Sequence, residues 1–598
     1  MTWVYYLIMD NNNLNYGIVG NCTSGALISK EGSVDWLCLP HFASPSVFAK
    51  LLDKNAGHLS IQSQSQWEIS QTYLENTNIL VTRFMSQDEA FELIDFMPRY
   101  QKTSGLFYNP PELTRVIKPL KGTPKIQIDY KPSLEYASGN TKTFEKNRGL
   151  VSVLENESNY DTLFLYSDIN LNSILKGSEI ILDQNRFITL SYNEKLEVPD
   201  LASAQYDFEL TKTYWMSWVQ RTNHFELYSE QINRSALTLK LLSYDKTGAI
   251  IAALTTSLPE TIGEVRNWDY RFCWVRDSSM VIKMMSQLGH RKVVRKFIDY
   301  IIDLIPEKDE KLQIMYGIHG EKTLTEETLE HLEGYQNSKP VRIGNDAYHQ
   351  KQNDIYGIFM DAIYVELNSF SIDFERKEEL WELVKNIVWI VAHNWEKPDK
   401  GIWEFRGEDR HFTFSKLLCW VAIDRAIKIS ELLDQKKPKW NDLRERIKED
   451  ILKNAWNDEV MAYTQSYGSK TLDASVLLME QYGFIDPTEK RFVATVKAIG
   501  KELLTDGLLY RYKDEDDFGA PSSSFTICTF WYIRSLIKIG EISEAKRLFD
   551  QLLSYSNHLG LFSEDIDFES KRLLGNFPQA YSHLALVDTA IQFNTIAN

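Results

Sequence analysis

Apolar positions along the chain follow two rhythms, and the change falls near residue 205. Before it, short runs rich in β-branched and aromatic side chains occupy 79–85, 91–97, 113–120, 126–130, 163–166 and 187–192. Turn residues punctuate them, among them Pro110-Pro111, Gly122-Thr123-Pro124 and the stretch 138–140. Runs of this length and make-up predict antiparallel strands in a sandwich. Beyond about residue 230 the runs lengthen, at 293–305, 355–367, 380–395, 417–433, 525–539 and 584–593. Their apolar residues recur at intervals of three and four, the spacing of a helix face. Several are apolar nearly all round, which suits helices enclosed by other helices, and the series predicts a helical barrel or toroid. Tyr214, Trp215 and Trp218 share a helical spacing between the two regions, which predicts a connecting helix. The expected division is an extension at 1–11, a sandwich at 12–204, a linker helix at 205–232 and a barrel at 233–598.

With 598 residues, 43% of them hydrophobic, the chain can bury large cores without disulfides or structural metals. Cys22, Cys38, Cys273, Cys419 and Cys528 lie far apart with no C-x-x-C pair. Neither a zinc site nor a disulfide framework is expected, and a reducing compartment fits. The apolar stretch 3–9 is too short to span a membrane and has no basic flank, so a cytoplasmic protein is expected. Asp and Glu number 83 against 66 Lys and Arg, a formal charge of -17. That field disfavours nucleic acid and anionic membranes as partners and leaves neutral or cationic molecules. A monomer and a homo-oligomer are both compatible with it. The 15 Trp and 30 Tyr add planes against which the C–H faces of pyranose rings could lie. Asp514-Glu515-Asp516-Asp517 reads as a solvated loop face rather than a metal site.

Three segments of the helical half are dense in aromatic and charged residues. They are Arg266-Asn267-Trp268-Asp269-Tyr270-Arg271-Phe272-Cys273-Trp274-Val275-Arg276-Asp277, Gly401-Ile402-Trp403-Glu404-Phe405-Arg406-Gly407 and Gly560-Leu561-Phe562-Ser563-Glu564-Asp565-Ile566-Asp567. Each precedes a helical run, and in a helical barrel such loops gather at one end. Two distant carboxylates could then share a pocket, as glycosidic hydrolysis requires: one protonates the leaving oxygen while the other activates water. Taken singly, each Glu is more often a surface charge and Arg276-Asp277 more often a salt bridge or cap. Spacing alone does not select the catalytic reading.

Taken together and in order, the segments resemble glycoside hydrolase family 15, which includes glucoamylases, trehalases and glucodextranases. Further stretches carry the same resemblance. Tyr16-Gly17-Ile18-Val19-Gly20-Asn21 and Gly32-Ser33-Val34-Asp35-Trp36-Leu37-Cys38-Leu39-Pro40 resemble the prokaryotic members' N-terminal β-domain. Arg234-Ser235-Ala236-Leu237 and Thr255-Thr256-Ser257-Leu258-Pro259-Glu260 resemble the opening of the barrel. Val341-Arg342-Ile343-Gly344-Asn345 resembles a substrate-side loop. The resemblance implies a β-sandwich followed by an (α/α)6 barrel, with no cofactor and no metal. It implies Glu404 as general acid and Glu564 as general base of an inverting reaction. Tyr270, Trp274, Arg276 and Asp277 would line the subsite of the non-reducing glucose. Trp403 would be a pocket wall and Arg342 an aglycone-side contact.

The activity expected first is release of β-glucose from malto-oligosaccharides or related α-glucans. The alternative is hydrolysis of trehalose by the same machinery, since both need a tight pocket for one glucose. A sugar-binding protein that keeps the fold would not need both carboxylates. A terpene-type toroid would need magnesium-binding acidic motifs inside the barrel, and only the hydrophilic run 514–517 resembles one. The chain has no P-loop, dinucleotide fingerprint or H-E-x-x-H.

Overall fold

A computed structural model describes residues 13–63, 66–103, 105–146, 148–155, 162–304 and 312–597. The expected extension at 1–11, the apolar stretch 3–9 and Ile305 lie outside the described residues.

An antiparallel β-rich domain comes first, in two packed sheets. One runs in the order Tyr16–Gly20, Gly25–Ser29, Val34–Cys38, His58–Gln62, Lys125–Lys131, Ile180–Ile181, with Ser46–Phe48 beside the third strand. The other runs Thr141–Lys146, Gly149–Leu154, Thr162–Ser167, Arg186–Ser191, Glu112–Lys121, Ala90–Phe96, Leu80–Met85, Glu68–Tyr73. The six apolar runs of the sequence all fall on strands. The first three strands carry no polar alternation because both of their faces are covered. Val19, Ala26, Ile28, Val34 and Leu37 face the sandwich interior. Ile18, Leu27 and Trp36 join the core of the helical domain instead. A strand buried on both sides reads as an unbroken apolar run.

The helical domain is an (α/α)6 barrel. Its inner segments are Val275–Gln287, Asp354–Ser369, Thr413–Leu432, the 3-10 turn Ala474–Met479, Thr526–Lys538 and Ala580–Ala597, each against the next and the last against the first. Ser229–Leu241, Arg291–Leu304, Phe374–Asn394, Pro438–Asn454, Lys490–Glu502 and Ile542–Leu553 pack outside them. The sequence distinguishes the two rings. Thr413–Leu432 is buried at every residue from Thr413 to Ile427. Ile542–Leu553 buries only Ala545, Leu548, Phe549 and Leu552, a single stripe.

The connecting helix spans Leu201–Val219, ahead of the expected start at 205, because Asp200 and Ser203 form a capping box. It ends at Val219, and the chain turns before Ser229–Leu241. Trp215 and Trp218 bury into the barrel core, while Thr211 accepts a hydrogen bond from the Arg99 amide of the β-domain at 3.1 Å. Arg99 also pairs with Asp245 of the barrel at 3.0 Å.

A second clasp ties the β-domain to the segment around Glu564. The Asn557 amide donates to the carbonyls of Leu14 and Tyr16, at 3.1 and 2.9 Å. The Leu573 amide donates to Asn13 Oδ1 at 2.7 Å, and His558 Nε2 lies 2.9 Å from Gln71 Oε1. All five cysteines are buried and unpaired. Among the described residues, no helix is long and apolar enough to cross a membrane.

Candidate active site

The three aromatic and charged segments meet at one end of the barrel, around a cleft of about 840 Å³ with its open mouth included. Glu404 lines it, with Tyr270, Trp274, Arg276, Asp277 and Trp403. Glu404 closes a tight turn after Gly401 and has a left-handed backbone, φ 60°. That region disfavours residues with a Cβ, and such strain persists where surroundings over-determine it. Here they do. Trp274 Nε1 donates to Glu404 Oε1 at 2.8 Å, and Arg276 Nη2 lies 3.5 Å from the same oxygen. The Gln350 side chain donates to the Glu404 carbonyl at 3.1 Å. The Glu404 side chain nevertheless keeps 24% of its surface exposed.

Glu564 is seated differently, directly behind the cleft wall and 1% exposed. Its backbone is fixed on both sides: its amide donates to Asn576 O at 3.1 Å and its carbonyl accepts from Thr526 N at 2.9 Å. Its carboxylate accepts from the Tyr270 hydroxyl at 2.5 Å and from the Asn576 amide at 3.2 Å. Gly575, at φ 70°, lies against it, and a Cβ there would stand 2.7 Å from both Glu564 Cβ and Oε2. Burial pushes the Glu564 carboxyl above the usual carboxylate range, and the nearby Glu260 pushes it further. The Tyr270 bond opposes the shift without cancelling it. Burial and Glu564 raise the Tyr270 phenol well above its ordinary value, so Tyr270 stays a donor.

The two carboxylates are linked through aromatic rings. Tyr270 holds Glu564, Trp274 holds Glu404, and the Tyr270 and Trp274 rings meet edge-on with centroids 5.2 Å apart. Arg276 is buried at the start of the inner helix Val275–Gln287, where Tyr581 and Gln352 each accept from it at 2.8 Å. Asp277 follows it, its carboxyl pushed up by burial to about 6. Asp277 Oδ1 is buried and makes no hydrogen bond within the protein, although Arg276 Nε is 3.2 Å away. Trp403 is steered by Asp473, which accepts from its indole at 2.8 Å.

Arg342, expected on the aglycone side, stands off the cleft lining. Its guanidinium donates to the Val265 and Asn267 carbonyls, both at 2.9 Å, and lies 4.5 Å from the Trp268 ring centroid. It braces Trp268 from behind, held there by these carbonyls and by Glu326 at 3.2 Å. Glu260 and Arg511, to which the sequence assigned no role at the site, line the cleft and pair at 2.9 Å. Asp516 and Asp517 line it too, so the run 514–517 is more than a solvated face.

A partly exposed carboxyl held by two donors and a buried one raised by its surroundings are compatible with hydrolysis of a glycosidic bond, which needs an acid and a base. The relatives of the chain agree with that chemistry. Residues 226–591 match the glycosyl hydrolases family 15, and residues 12–164 match the family described as trehalase-like, N-terminal. A protein of Mycolicibacterium smegmatis named trehalase is 36% identical, across 96% of this chain and 90% of its own. One of Thermoplasma volcanium with the same name is 34% identical, across 96% and 92%. A bacterial glucoamylase crystallised with acarbose shares the fold, with a TM-score of 0.68 and 13% identity over 98% of this chain and 94% of its own. The chain belongs to glycosyl hydrolase family 15 and is a glycoside hydrolase.

Proposed function

We propose that the enzyme hydrolyses α,α-trehalose with inversion, Glu404 acting as general acid and Glu564 as general base. The carrying observation is the name shared by relatives at 34–36% identity over nearly the full length of chain and relative alike. The glucoamylase reading rests on a structure only 13% identical, which speaks for the fold alone. Trehalose, the alternative in the sequence, therefore becomes the preferred substrate.

In this reading the first glucose enters the deep end of the cleft. Arg276 and Asp277, which line the cleft, would grip its hydroxyls through charge-assisted hydrogen bonds. Glu404 gives its proton to the glycosidic oxygen, so the second glucose leaves with its own anomeric carbon untouched. Glu564 takes a proton from water as the water oxygen bonds to the first anomeric carbon from the opposite face. Each turnover leaves Glu404 ionised and Glu564 protonated, and exchange with solvent resets both. Inverting enzymes set their two carboxyls roughly 6.5–9.5 Å apart to admit the water, and here the residues that hold them, Tyr270 and Trp274, meet edge-on with ring centroids 5.2 Å apart.

The test is proton NMR of the earliest products from trehalose, maltose and maltotriose. Inversion of trehalose gives α- and β-glucose in equal amounts, one from each ring. Initial α-glucose alone from trehalose would mean retention and remove the acid and base assignment. Activity on maltotriose with none on trehalose would return the enzyme to the glucoamylase reading.

A further inference from the structure

The loop at 512–519 leads toward the inner helix Thr526–Lys538, and its Asp516, Asp517 and Phe518 line the cleft. Its acidic residues turn toward different neighbours. Asp516 accepts from both terminal nitrogens of Arg266, at 3.0 and 2.6 Å, and from the Tyr512 hydroxyl at 2.5 Å. Arg266 also donates to the Gly519 carbonyl at 2.7 Å, and the Arg266–Asp516 pair is nearly buried, 8% and 7% exposed. Asp517 reaches the other way. It accepts from the backbone amides of Arg406 and Gly407, at 2.5 and 2.8 Å, two and three residues beyond Glu404. Gly407 leaves room for this contact, since a Cβ there would lie 2.7 Å from Asp517 Oδ1. Arg406 lies over both the Trp268 and the Phe518 rings, at 4.6 and 5.4 Å, and those rings meet edge-on.

The direction of the sugar gives this arrangement a consequence. Arg276 and Asp277 are buried at the deep end, so whatever is attached to the first glucose must extend past Glu404 toward the mouth. There it meets Arg406, Trp268 and Phe518, fastened together by Asp516 and Asp517. An enzyme that trims long chains needs that side open, whereas trehalose ends after one further glucose.

We propose that the 512–519 loop is a strap across the leaving-group side, and that Asp516 and Asp517 are specificity-determining residues limiting the substrate to two sugars. The inference rests on the trehalose reading above. The strap acts by occupying the path of a third sugar, not by touching the bond that breaks.

The experiment compares kcat/KM on trehalose and on maltotriose for the full chain, Asp517→Ala, the double variant Asp516→Ala/Asp517→Ala, and Glu515→Gln as a solvent-exposed control within the same loop. Asp517→Ala is expected to raise the maltotriose-to-trehalose ratio about tenfold, the scale on which a pocket wall discriminates. The double variant should raise it further, and Glu515→Gln should leave it at the wild-type value. A ratio unchanged within about twofold in Asp517→Ala and the double variant, including equal loss of both activities, overturns the strap. Asp517→Ala leaves the buried Arg266–Asp516 pair intact, so it decides the matter alone if the double variant does not fold. A wild-type enzyme that prefers maltotriose overturns the trehalose reading itself, which separates the two failures.

Discussion

Glu404 and Glu564 carry the same carboxyl group on opposite kinds of seat. Glu404 sits on a strained turn at the cleft surface, held by an indole and a guanidinium that approach one oxygen. Glu564 sits between backbone pairs on both sides, buried, with a phenol and an amide on its two oxygens. In the proposed roles the acid, Glu404, would face the substrate. The proposed base, Glu564, lies behind the cleft wall, where desolvation and Glu260 raise its carboxyl above the ordinary range.

The largest expected effect separates the two roles. Glu404→Gln and Glu564→Gln should each lower kcat on trehalose by about 10²–10⁴-fold, the usual range for general acid–base catalysis. On α-glucosyl fluoride, whose leaving group needs no protonation, Glu404→Gln should recover most of its activity and Glu564→Gln should not. Equal behaviour of the two variants on the fluoride would erase the distinction. Next, Gly575→Ala places a methyl against Glu564 and should disturb the base while sparing substrate binding. If overpacking of about 1–3 kcal/mol falls on the transition state, kcat drops about 5–150-fold with KM little changed. An unaltered kcat would mean that the close approach at Gly575 is unimportant.

The pH dependence offers a finer separation. As the proposed base, Glu564 would have to be ionised to act, so activity should fall as pH drops through its raised value, and the acid limb of kcat/KM should lie above the ordinary carboxylate range. Glu260→Gln removes a charge that raises this value and should move the limb to lower pH. Tyr270→Phe removes a bond that lowers it and should move the limb to higher pH. Shifts of the same sign in both variants would break the account of the base's seat. The smallest effect is expected at the cleft wall. Asp473→Asn weakens one hydrogen bond to Trp403, worth about 0.5–1.5 kcal/mol, and should raise KM a few-fold with kcat nearly intact. A fall in kcat instead would place Trp403 nearer the chemistry than the wall.

Legibility in the sequence followed the physics of each element. The later strands could be read from their alternation and bounding turns, and the long inner helices from the length of their apolar runs. Tyr16–Gly20, Gly25–Ser29 and Val34–Cys38 have no such signature, since the sandwich covers one face and the barrel the other. Ala474–Met479 completes the inner ring as a 3-10 turn too short to show a helical repeat. At the site, the loops carrying Glu404 and Glu564 stand out through local motifs. Glu260 meets Arg511, and Arg266 meets Asp516, across some 250 positions of chain, which no local pattern records. Arg342 lies in a recognised loop yet points at carbonyls behind Trp268, because a motif fixes a backbone position more firmly than the direction of a long side chain.

The clasp between Asn557, Asn13 and the first strand gives the β-domain a stake in the catalyst. The segment that presents Glu564 is bolted at both ends to the opposite domain, so the barrel is not a self-sufficient machine with an ornament attached. Cutting the chain at the connecting helix would leave the mounting of Glu404 whole and strip that of Glu564 of its outer anchor. For engineering, the two domains form one inheritance unit: a barrel transplanted onto another sandwich must bring residues that make these bonds, or Glu564 will lose its aim before the fold is lost.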